Sequence, residues 1–76
     1  MLSFAIDRQS GSETIKIACD AKGMSVLLKA LATLIGARAS HVHLLAPSCG
    51  GVELDETTPW GHGAVSEVII DYVEGD

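Results

Sequence analysis

The apolar residues of this chain change their spacing at Asp20, and that change constrains its fold more than any other feature. Before it, "ETIKIAC" alternates, with Ile15, Ile17 and Cys19 on one side and Thr14, Lys16 and Ala18 on the other. That is the two-residue period of a strand. After it, Met24, Leu27, Leu28, Leu31, Leu34 and Ile35 recur in three- and four-residue steps, which is one face of an α-helix. Asp20 suits the cap of that helix, because its carboxylate can accept the first unpaired amides. Gly36 suits a left-handed residue that stops it, and Gly23 weakens its first turn. The pattern predicts a helix over about 21–36, with Ser25, Lys29 and Arg38 away from its apolar stripe and Val26, Ala30 and Ala32 widening it.

Upstream, "LSFAID" also alternates, with Leu2, Phe4 and Ile6 on one face, and "RQSGS" supplies a turn. Strands over about 2–7 and 13–19 then form a β-hairpin. Downstream, "HVHLLA" predicts a strand over about 41–46 with Val42, Leu44 and Ala46 inward. "VSEVIIDYV" predicts another over about 65–73 with Val68, Ile70 and Tyr72 inward. The order β-β-α-β-β makes residues 1–76 one α+β domain. It is expected to be a two-layer sandwich, a four-stranded mainly antiparallel sheet covered on one face by a single helix. The other face would carry Lys16, His41, His43, Glu67 and Asp71, the polar set of a sheet with one side in water.

Size limits function. Of 76 residues, 47% are apolar and only Phe4, Trp60 and Tyr72 are aromatic. A chain this short buries about 60% of its unfolded surface. It has little room for a cleft of several hundred Å³, which argues against an autonomous enzyme. Charge narrows the partners. Residues 1–46 carry a net +2, whereas residues 47–76 carry seven acids and no Lys or Arg, giving −5 for the whole. Such an acidic half repels nucleic acid and steers a basic partner toward itself. Two cysteines, Cys19 and Cys49, do not make a disulfide scaffold. No signal peptide or membrane-length apolar run is present, so a reduced cytoplasmic setting is expected. No cofactor motif is present.

The 47–64 loop, "PSCGGVELDETTPWGHGA", is the stretch with most chemistry in it. Loops of this length in small domains are commonly functional. His41, His43, Cys49 and His62 form an alternative zinc-ligand set, although they lack tight ligand spacing and are more simply read as surface residues. Cys49 with a histidine, and Gly50-Gly51 as an oxyanion hole, has the parts of a nucleophilic site but nothing to fix their geometry. Ser48 is weaker still. "CGGVEL" is no phosphate loop, since it lacks Lys and runs into acids. Pro47, Gly50 and Gly51 are read as shaping the loop. Glu53, Asp55 and Glu56, with Trp60 as an apolar anchor, are read as its contact residues. His41 and His43 contribute from the polar sheet face. A homo-oligomer through the sheet edge, or through an Ile69 and Val73 face, is compatible with this reading.

The run "HVHLLAPSCGGVELDE", followed by "VSEVIIDYVEGD", resembles the immunity protein 32 family of bacterial polymorphic toxin systems. His41, His43, Leu44, Pro47, Gly50, Gly51, Glu53 and Leu54 match its pattern in register, and with the preceding helix the likeness covers about residues 14–76. Cys49 departs from it, standing where the family often has an aromatic, while Trp60 comes later in an extended loop. The resemblance implies a non-catalytic protein that binds a cognate toxin and blocks it. Toxins of such systems are commonly nucleases or other enzymes with basic or metal-bearing active sites, which an acidic loop would suit.

Overall fold

A computed structural model describes residues 1–9, 11–36 and 40–73; Arg38, Glu74 and Asp76 lie outside the described residues. The chain is a small α+β fold of one helix and two two-stranded antiparallel sheets. Strands β1 (Leu2–Asp7) and β2 (Thr14–Cys19) pair from Leu2 opposite Cys19 to Asp7 opposite Thr14. Helix α1 (Ala21–Ile35) follows. Strands β3 (His41–Leu45) and β4 (Glu67–Asp71) pair from His41 opposite Asp71 to Leu45 opposite Glu67.

In place of the expected single four-stranded sheet, the strands pair as two two-stranded sheets. Residues 65 and 66 do not extend β4. Instead, the segment before it runs beside β1 through a single antiparallel bridge between Ala5 and Ala64. There the Ile6 amide donates to the Gly63 carbonyl at 3.1 Å and the Val65 amide to the Phe4 carbonyl at 2.9 Å. One stretch of chain thus serves β1 with residues 63–65 and β3 with residues 67–71. The Ser66 carbonyl between them accepts the Ala46 amide at 2.9 Å. Tyr72 lies past the end of β4 and is exposed rather than inward.

The Asp20 side chain accepts the Gly23 amide at 2.8 Å and caps α1. At the other end Gly36 has φ −73°, and its amide donates to the Ala32 carbonyl at 3.0 Å. It continues the last turn instead of reversing the chain, so the expected left-handed stop is not used. Gly23 is needed for closeness: a Cβ there would land on the Met1 carbonyl. That close approach aims the line Gly23, Val26, Leu27, Ala30 and Leu34 at the sheet.

The core therefore differs from the expected one. Leu2, Phe4, Leu44, Ala46 and Leu54 form its buried cluster, with Cys19, Val26, Leu27, Ala30, Val65, Val68 and Ile70 packed against it. Met24, Leu28, Leu31 and Ile35, expected inward, are exposed, as are Ile15 and Ile17 on β2. At about 100° per residue a helix cannot turn every apolar side chain of so wide a stripe to one small sheet. β1 is buried on both faces, down to Ser3, whose hydroxyl has no partner. On that second face, Lys16 lies opposite Ala5 and its ammonium sits beneath the Trp60 ring.

Candidate partner-binding surface

The segment after β3 is built by backbone bonds. Pro47 opens a 3-10 turn, Pro47–Cys49, its fixed φ and missing amide being harmless at that position. Gly50 ends the turn in the left-handed region at φ 86°, where a Cβ is strained. Gly51 has another reason to be glycine, since a Cβ there would strike the Cβ and carbonyl of Leu45. The chain then folds back on the end of β3, and the Leu45 carbonyl accepts the amides of Glu53 (3.2 Å) and Leu54 (3.1 Å). This return drives Leu54 into the core and leaves Val52 92% exposed.

Each acidic residue of the loop is tied to an amide. The Glu53 carboxylate accepts the Val52 amide at 2.7 Å, that of Asp55 accepts the Leu2 amide at 2.9 Å, and that of Glu56 accepts the Ser48 amide at 2.6 Å. The Ser48 side chain, and then its amide, hold the Glu56 carboxyl below the ordinary glutamate range. Asp55 and Glu56 therefore have a structural part beside any contact they make. Glu53 and Asp55 also line a cleft of about 210 Å³ with Met1, Leu2, Lys22, Gly23, Val26 and Val52. It is smaller than the several hundred Å³ usual for small-molecule sites. Trp60, in a turn closed by the Gly61 amide on the Thr58 carbonyl (3.1 Å), has its ring centroid 5.3 Å from the Lys16 ammonium. It is still 37% exposed, half cap and half surface. The Asp7 carboxylate pairs with the same lysine at 3.2 Å. Its carboxyl is held low by the Gln9 amide first and by Lys16 second.

His41 and His43 stand side by side on the exposed face of β3, ring centroids 4.9 Å apart and nearly perpendicular. His43 Nδ1 lies 3.1 Å from Glu67 Oε2, and His41 Nδ1 lies 3.2 Å from Ser40 Oγ. Ile69 lies opposite His43 and Asp71 opposite His41, so this face is polar with one exposed isoleucine. Among the described residues, no three His, Cys, Asp or Glu side chains are grouped to hold a metal ion. The alternative set His41, His43, Cys49 and His62 is therefore not brought together. The nucleophile arrangement does not assemble either. The Gly50 amide donates to the Pro47 carbonyl (2.9 Å) and the Gly51 amide to that of Ala46 (3.1 Å). Both donors that an oxyanion hole would need are engaged.

Two features were missed in the sequence. The sequence pattern assigns Leu54 no inward role, yet it is buried in the core cluster, an apolar residue set among the acids Glu53 and Asp55. The paired glycines signalled a bend, but not that Leu45 would receive the returning chain. None of the described helices is long and apolar enough to cross a membrane. Compared with known protein families, curated proteins and solved structures, the chain matches none of them.

Proposed function

We propose that this chain is a non-catalytic binding protein that neutralises a cognate bacterial toxin by direct contact in the cytoplasm. The contact surface is the 47–64 segment, with Glu53, Asp55 and Glu56 supplying charge and Trp60 an apolar edge. His41 and His43 lie on the adjoining face of β3. One observation carries the reading: three carboxylates within four residues, each held by a backbone amide. An acidic surface fixed in this way loses little conformational freedom on binding, and its charge steers a basic partner. The resemblance of residues 41–54 to toxin-immunity proteins supports the same reading. So does the small volume of the cleft beside Glu53. The two strand pairs, bridged across Ala5 and Ala64, act in this reading as one four-stranded platform under α1.

The test must separate charge from folding, because Asp55 and Glu56 also hold the backbone. The triple variant E53Q/D55N/E56Q removes three charges while keeping an oxygen that can accept each amide. Co-expressed with a toxin against which the wild-type chain protects, it is expected to lose protection while its circular dichroism is unchanged. Undiminished protection by a folded triple variant overturns the loop as the contact surface. Failure of the wild-type chain to protect against, or co-purify with, any toxin encoded beside its own gene overturns the function.

A further inference from the structure

Two groups of large apolar side chains lie uncovered on the helix side of the molecule. On α1, Met24, Leu28, Leu31 and Ile35 recur at steps of four, three and four residues and are 37–83% exposed; on β2, Ile15 and Ile17 are 69% and 48% exposed. By strand register, Ile15 and Ile17 lie opposite Ile6 and Phe4, hence on the face that carries the helix. The two groups adjoin. Lys22 and Val26 line the cleft against Val52 and Glu53, which fixes that flank of α1 toward the 52–55 segment. Asp55 is bonded to Leu2 on the edge of β1 away from β2. The opposite flank, carrying Leu27 and Leu31, therefore turns toward β2.

We infer that this face, together with the free edge of β2, is a self-association surface that holds a second copy of the chain about a two-fold axis. Three properties select a second copy over an unrelated partner. The first is area. The six residues leave on the order of 600 Å² in solvent, the upper end of what monomers expose, and a symmetric pair would bury roughly 1,200 Å², the threshold of a specific interface. The second is charge. α1 contains no Asp or Glu, and Lys22 and Lys29 lie on its flank, about 100–120° around from Leu28. An uncharged stripe is complementary to itself, and contact here leaves the acidic 47–64 segments of the two copies apart. The third is the edge. Among the described residues β2 pairs only with β1. It has no proline, and Lys16 is turned beneath Trp60 on the opposite face. Such an edge invites another strand, and antiparallel pairing of β2 with its copy satisfies both edges at once. The surface is separate from the proposed toxin contact and does not depend on it.

Sedimentation equilibrium on the full chain tests this. The wild type is expected at twice the 7.9 kDa of one chain, with a Kd in the micromolar range or below. Leu28→Glu is expected to weaken association at least ~10-fold with its circular dichroism retained. Ile15→Thr keeps a strand-forming residue at the edge and gives a second reading if the helix variant misfolds. Ile69→Glu, on the polar face, is expected to leave the mass unchanged. A single-chain mass for the wild type at ~100 μM overturns the inference. So does a dimer that survives both interface changes, or one lost only in Ile69→Glu.

Discussion

Leu2 and Asp55 bond each other in both directions: the Asp55 carboxylate accepts the Leu2 amide at 2.9 Å, and the Asp55 amide donates to the Leu2 carbonyl at 2.8 Å. The contact fastens the acidic loop to the first residue of β1, fifty-three positions away, on the edge that β2 leaves free. Removing the carboxylate leaves a partly buried amide without its charged acceptor. Asp55→Ala is therefore expected to cost about 1–2 kcal/mol. Asp55→Asn, which keeps one acceptor oxygen, should cost less than half of that. Urea unfolding of the three proteins checks the order.

Leu54 and Val52 are two residues apart in one loop and have opposite fates. Leu54 is 2% exposed within the core cluster, and Val52 is 92% exposed. Leu54→Ala removes methyl groups from a small core and is expected to cost 2–5 kcal/mol, a large share of the stability of a domain this size. Val52→Ala should stay within ~0.5 kcal/mol. Equal effects would mean that Leu54 does not anchor the loop.

The elements were legible in the sequence because each has one clean period. The spacing places β1 to the residue and α1, β2 and β3 within one position, but it runs β4 two residues too long at each end. What could not be read was orientation. The helix pattern carries apolar residues at Gly23, Val26, Ala30 and Leu34 as well as at Met24, Leu28, Leu31 and Ile35. Periodicity alone does not say which line faces the sheet. The choice is settled by the close approach of Gly23 to Met1, a contact between segments that no local pattern encodes. The loop was legible in its parts and not in its path. Pro47, Gly50 and Gly51 announce a bend, but the burial of Leu54 and the covering of Lys16 by Trp60 depend on partners far along the chain.

Gly50 and Gly51 separate two reasons for glycine. Gly50 has φ 86° and nothing near its missing Cβ, whereas Gly51 has no room for one against Leu45. Gly50→Ala should cost roughly 1 kcal/mol of backbone strain. Gly51→Ala must displace Leu45 or the segment that folds back on it, with an expected cost of about 1–3 kcal/mol or more. Thermal unfolding distinguishes them. In Gly51→Ala the amides of Glu53 and Leu54, which bond Leu45, should also exchange hydrogen faster.

Acid should loosen the same loop. The Glu56 carboxyl is held low by the side chain and then the amide of Ser48. Those of Asp7 and Asp20 are held low chiefly by the Gln9 amide and by the terminal amine. A carboxyl whose folded value lies below its unfolded one binds fewer protons when folded. Its stabilisation is complete above the unfolded value and is lost as pH falls through the folded one. The melting temperature should therefore decline as pH drops below roughly 4.5, the ordinary carboxylate range. Glu56→Gln keeps an acceptor for the Ser48 amide but has no proton to take up. Melting curves from neutral pH into acid should show a smaller decline for this variant than for the wild type. An identical decline in both would mean that Glu56 titrates alike in the folded and unfolded chain, and that Ser48 does not hold it.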